Sequence, residues 1–151
     1  MSTKLTTTTD MPESLSLDLY HAVRGFQDRL ADVLVTRLRD AGGLPVSTTQ
    51  LGFLAALICG DNTASSIARR LRISRQAAQK QVGEMVEQGI LVVSPDPQRR
   101  NQSLITFSER GVALMSACRQ VLADMDRELG ADADALRAAL PALQSAFDPQ
   151  P

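Results

Sequence analysis

Apolar side chains at Leu15, Leu19, Val23, Phe26, Leu30, Leu34 and Leu38 recur every three to four positions until Ala41-Gly42-Gly43 breaks the run. That period follows one face of an α-helix, so a long amphipathic first helix is predicted, closed by the glycines. A loop holding Pro45 leads to Ser47, Thr48 and Thr49, any of which can cap a second helix through LGFLAALICG to Gly60. This helix is apolar on nearly every side and is expected to be mostly buried. Thr63 caps ASSIARRLR, and Ser74 caps the next helix after about three intervening residues, the spacing of a helix-turn-helix.

On a wheel of about 100° per residue, residues 74–88 place Ala78, Val82 and Met85 on one side, with Val86 at its edge. The opposite side carries Gln76, Gln79, Lys80 and Gly83, with Arg75 on the N-terminal flank. The first side suits a core. The second has little to bury and is rich in long donors and acceptors. Gln makes paired hydrogen bonds to adenine and Arg to guanine in a major groove, and a helix N-terminus favours a nearby phosphate. Ser74, Arg75, Gln76, Gln79 and Lys80 are therefore candidate DNA-reading residues. Gly83 costs about 1 kcal/mol of helix stability relative to Ala, so it is either tolerated or kept for close approach to DNA.

After Gly89, ILVVS is aliphatic and β-branched, PDPQRRN is turn-like and basic, and QSLITF alternates polar with apolar before Ser108 caps another helix. A β-hairpin with a charged tip is predicted. Directly after a recognition helix such a hairpin is a wing, which sets Arg99, Arg100 and Asn101 to enter a minor groove or grip phosphate. Two more helical stripes follow, Leu114, Cys118, Val121, Leu122, Met125 and Leu129, then Leu136, Leu140, Leu143 and Phe147. Pro141 interrupts the second, predicting a kink or a new helical start there.

Composition narrows the class. With 44% apolar but only 3% aromatic residues, the core must be largely aliphatic. A net charge of -1 alone argues against a polyanionic partner. Its distribution reverses that, because residues 67–100 hold seven basic against three acidic side chains, a surplus of four that leaves the remainder near -5. One surface is thus suited to an anion. No apolar run approaches the ~20 residues of a membrane span, and STKLTTTTDMPE lacks the apolar stretch of a signal peptide, so a cytoplasmic protein with no membrane partner is expected. Cys59 and Cys118 are too few and too far apart for a disulfide scaffold or a zinc motif, and His21 is the only imidazole. No metal and no cofactor are expected. Nor does the sequence hold a nucleophile with a base, paired carboxylates or a glycine-rich phosphate loop, and Asp124, Asp126 and Glu128 read as solvated charge on a helix end, so no catalytic site is expected.

SSIARRLRISRQAAQKQVGEMVEQGIL followed by PDPQRRNQSLITFSERG resembles the MarR family of winged helix-turn-helix transcriptional regulators, over about residues 47–115. Ile73-Ser74 stands where that family has its cap before the recognition helix, Gly89 where it has a glycine after it, and Phe107-Ser108-Glu109-Arg110-Gly111 where it starts the next helix. The wing departs from the pattern. Aligned without gaps from Ser108, Arg99 takes the usual Asp position and Asn101 the position of the groove-inserting Arg, leaving open whether Arg100 substitutes.

The resemblance implies a mainly α fold with a small β-hairpin wing, and a homodimer made by helices at both chain ends. The terminal apolar stripes support such a dimer separately, although packing within one monomer is the alternative. The expected division is a flexible tail at 1–12, an N-terminal dimerisation helix and loop at 13–46, a DNA-binding domain at 47–110, C-terminal dimerisation helices at 111–148 and a tail at 149–151. The expected function is a sequence-specific repressor that binds double-stranded DNA at a pseudo-palindromic operator. The resemblance further implies release by a small aromatic or anionic effector, for which Tyr20, His21, Arg24, Phe53 and Met115 supply apolar wall and a few polar groups. The alternatives are a redox sensor through Cys59 or Cys118, in which neither cysteine has an electropositive, exposed setting, and a helical interaction module without DNA binding, which would not need the basic stripe.

Overall fold

The computed structural model describes residues 13–57 and 62–148. Among these described residues, six helices and one hairpin follow in the order α1 (Leu15–Asp40), α2 (Thr48–Ala55), α3 (Ala64–Leu71), α4 (Arg75–Glu87), β1 (Leu91–Pro95), β2 (Ser103–Phe107), α5 (Glu109–Leu129) and α6 (Asp132–Ser145). This is the mainly α fold with a two-stranded antiparallel wing that the sequence pattern predicts.

Side chains set the starts of the helices. Ser14, Ser47, Thr63, Ser74 and Ser108 each accept a backbone N–H of the first turn of α1, α2, α3, α4 and α5. Ser47 and Thr63 complete reciprocal capping boxes with Gln50 and Ser66. Between α3 and α4, Arg72 takes a left-handed conformation at φ 53°, and Ile73 N bonds Ala68 O at 3.0 Å, which turns the chain sharply without glycine.

One expectation is corrected and another is narrowed. The second helix stops at Ala55 rather than running towards Gly60, which lies outside the described residues together with Cys59. Its last carbonyls are claimed from elsewhere: Arg70 donates to Ala56 O, and Asn62 Nδ2 donates to Leu57 O at 3.0 Å. Of the kink or new start expected at Pro141, the new start is absent, because one helix passes through it. Nearly all of α6 is exposed, so water can serve the carbonyl that the proline ring deprives of an N–H. The expected tails at 1–12 and 149–151 lie outside the described residues.

One aliphatic core joins Leu34 and Leu38 of α1, Phe53 and Leu54 of α2, Ile67 of α3, Ala78, Val82 and Met85 of α4, Leu91 and Ile105 of the hairpin, and Leu114 and Cys118 of α5. The first half of α1 adds no buried residue, and α6 has none. The hairpin pairs Leu91 with Phe107, Val93 with Ile105 and Pro95 with Ser103. Ile105 N also bonds Asn62 O at 2.8 Å, which ties the wing to the segment entering α3. At the other end of the wing, Ser108 donates its hydroxyl to Gly89 O, and its N–H meets Ile90 O at 3.0 Å. Gly111 sits so close to this joint that a Cβ there would overlap the Ile90 carbonyl oxygen.

Candidate nucleic-acid interface

Burial of Ala78, Val82 and Met85 fixes the rotation of α4 and turns Arg75, Gln76, Gln79 and Lys80 to solvent. Among the described residues Arg75, Gln76 and Gln79 make no hydrogen bond or ion pair, so their donors and acceptors are open to a partner. Lys80 lies 3.9 Å from Glu84, a loose exposed pair that costs little to break. Ser74 Oγ accepts Ala77 N at 3.0 Å, so this residue holds the helix start and keeps only its O–H to donate elsewhere. Among the described residues, and apart from the helix's own nearby backbone and chain neighbours, nothing lies within 4 Å of where a Cβ at Gly83 would stand.

Across from this face stands the inner side of the wing. Arg75, Gln79 and Val82 line a cleft of about 380 Å³ together with Asn101, Gln102 and Ser103 of the hairpin and Thr63 and Ser65 at the start of α3. Three elements thus surround one polar, solvent-open space with a helix N-terminus at its edge, which suits a sugar-phosphate strand. The structure brings together Arg75, Gln79 and Asn101 among the expected residues. Thr63, Ser65, Gln102 and Ser103 are additions that sequence reasoning missed. The Asn62–Ile105 bond that carries α3 to the wing has no local signature.

At the tip, Asp96 N bonds Gln102 O at 2.8 Å, and Asp96 Oδ1 accepts Gln98 N at 2.8 Å, an Asx turn. Arg99 and Arg100 are both exposed. Elsewhere in the basic stretch, Arg70 is committed to Ala56 O and Asn62 and is thus a structural cation, whereas Arg69 and Arg72 remain exposed.

The expected effector residues divide. Tyr20, His21 and Arg24 share the exposed first half of α1, where the Tyr20 and His21 rings meet edge-on at 5.5 Å and Arg24 Nη1 reaches Tyr20 Oη at 3.5 Å. Phe53 is 2% exposed in the core, and Met115 packs against that core. A second cleft, of about 340 Å³, is lined by Val35, Arg39, Pro45, Val46 and Ser47 instead.

Burial pushes the Cys118 thiol above its usual range, which disfavours the reactive thiolate. Glu128 is not merely solvated charge: Arg37 holds it in a bidentate pair, the bonds of which lower the carboxyl's pKa and raise the guanidinium's. Among the described residues no group of three or more His, Cys, Asp or Glu side chains could hold a metal ion, and no helix is long and apolar enough to cross a membrane.

Residues 42–100 match the MarR family. No curated protein matches the sequence. Among solved structures, a cysteine-to-serine mutant of MarR from E. coli complexed with operator DNA is 20% identical, with a TM-score of 0.62 over 89% of this chain and 95% of that one. A MarR-family transcriptional regulator from Rhodococcus sp. RHA1 is 21% identical, with a TM-score of 0.66 over 89% of this chain and 95% of its own. An organohalide-sensing transcriptional regulator, RdhR, in its 2,4-dichlorophenol-bound form is 18% identical, with a TM-score of 0.62 over 95% of this chain and 90% of its own.

Proposed function

We propose that this chain, which carries the MarR-family match and has the fold of MarR-family transcriptional regulators, is a sequence-specific DNA-binding repressor acting in the cytoplasm as a homodimer. The observation that carries the reading is the unpaired face of Arg75, Gln76 and Gln79, of which Arg75 and Gln79 line an open polar cleft with the wing. Helix α4 enters a major groove, where Arg75 and Gln79 read base edges. Lys80 and the exposed O–H of Ser74 bind backbone, and the tip residues Arg99, Arg100 and Asn101 engage the flank. A similar fold bound to operator DNA supports this arrangement.

Residues 47–110 form the DNA-binding unit in this reading, and 13–46 with 111–148 the dimerisation elements. Exposed Leu15, Phe26, Leu136 and Leu140 mark the faces that a second copy covers. A two-fold dimer presents its recognition helices about one helical turn, ~34 Å, apart, and so requires a pseudo-palindrome. An aromatic or anionic effector meets the Tyr20, His21 and Arg24 cluster near that interface and releases the DNA. The dichlorophenol-bound relative supports this class of ligand. The test is nuclease protection of the DNA upstream of the protein's own gene, with and without salicylate-like acids. Two protected half-sites lost on adding an acid are expected, and uniform cleavage at saturating protein rules the proposal out.

A further inference from the structure

The wing tip carries two neighbouring guanidiniums in different situations. Arg99 Nη1 donates to Gln102 Oε1 at 3.3 Å, across a turn that Gln102 N closes on Arg99 O at 3.0 Å. Exposed Arg100 makes no hydrogen bond or ion pair among the described residues. Asn101, next along, lines the cleft with Arg75 and Gln79. Over three consecutive residues the hairpin therefore folds one cation back on itself, leaves one free and gives an amide to the cleft. The Asp96 bonds to Gln98 and Gln102 hold the base of the turn that carries these three side chains.

A guanidinium entering a groove must first give up its bonds within the protein. A net hydrogen bond biases such a choice by about two- to twelvefold. Arg99 bears that cost and Arg100 does not. Building on the DNA-binding proposal above, we infer that Arg100 is the side chain the wing delivers to the minor groove, and that Gln102 is a positioning residue that holds Arg99 out of it. Arg100 then senses A·T against G·C pairs through groove width and acceptor pattern. Arg99, kept along the hairpin, adds only salt-dependent attraction to phosphate.

The experiment selects bound sites from a pool of random-sequence duplexes with the full chain and its variants. Wild type is expected to enrich A·T pairs at one flank of each half-site, and Arg99→Ala to keep that preference while binding more weakly in a salt-dependent way. Arg100→Ala keeps the central half-site, loses the flank preference and binds about tenfold more weakly. Adding Gln102→Ala to Arg100→Ala frees Arg99 and restores part of that preference, whereas Gln102→Glu, which still offers Arg99 an acceptor, does not. Purely structural damage at position 102 could not produce such a rescue. Loss of the flank preference in Arg99→Ala rather than Arg100→Ala, or no rescue by Gln102→Ala, overturns the inference and leaves base reading by α4 intact. A wild-type protein that enriches no sequence overturns both.

Discussion

Arg37 and Glu128 meet through two parallel bonds, Nη1 to Oε1 at 2.6 Å and Nη2 to Oε2 at 2.8 Å, and so join α1 to the last turn of α5. Such fork-to-carboxylate geometry is the strongest form of exposed pair. Glu128's pKa is depressed by this bond, so its stabilising contribution is fully present above the ordinary glutamate value of about 4.3 and is lost as pH falls through the lower folded value. Glu128→Gln is expected to lower the denaturation midpoint at neutral pH, and the gap to wild type should close in acid. A gap that stays constant down to the acid limb of unfolding would show that the pair contributes nothing through its charge.

Two glycines predict opposite outcomes. At Gly111 an alanine methyl would overlap the Ile90 carbonyl oxygen, so Gly111→Ala should cost about 1–3 kcal/mol or more, measured by urea denaturation. At Gly83 a methyl meets nothing, so Gly83→Ala should add up to about 1 kcal/mol by helix propensity. If that stabilised variant also binds DNA more weakly, the glycine serves the approach of α4 to the groove.

Base reading is expected to reside in Arg75 and Gln79, which the cleft brings together. Alanine at either position should weaken the cognate site by about 1–3 kcal/mol and relax preference at one base pair per half-site. Competition assays against single-base operator variants measure both effects, and unchanged preference in both proteins contradicts the assignment.

Assembly should depend on the uncovered apolar faces. Phe26 is 48% exposed on α1 and Leu140 48% exposed on α6, in segments that bury nothing within one chain. Phe26→Glu or Leu140→Glu should shift light-scattering mass from dimer to monomer and greatly weaken binding to a two-half-site operator, while urea stability per chain changes little. A wild-type chain that is already monomeric would sink this prediction outright.

Much of the fold was legible because it is written in local chemistry. Capping residues precede each of α1 to α5, and the 3.6-residue period placed Ala78, Val82 and Met85 inside α4 and Gln76 and Gln79 outside it. The hairpin strands were likewise marked by ILVVS and QSLITF. What escaped depends on partners far away in sequence. Arg70 looked like one more surface cation, yet a carbonyl at the end of α2 captures it. That bond lies just past Ala55, where α2 ends earlier than its apolar run suggested. Glu128 looked solvated until α1 delivered Arg37 to it, and Ser65 and Gln102 share a cleft where Ile105 of β2 bonds the residue before Thr63. The pattern at Pro141 left a kink and a new start both open for a different reason. A proline removes one helical N–H and crowds the carbonyl four residues earlier, and whether the helix continues depends on what serves that carbonyl; α6 lies open to water.

The tight seat of Ser108 and Gly111 on Gly89 and Ile90 gives α5 the geometry of a lever whose fulcrum lies just past the end of α4. With 21 residues, α5 reaches about 32 Å from that fulcrum. A tilt of about 5° at the seat therefore sweeps the far end by roughly 3 Å, a gearing that follows from helix rise alone. Run backwards, the same gearing means that a shift of about 1 Å at the far end of α5 corresponds to a tilt of only about 2° at the seat beside α4.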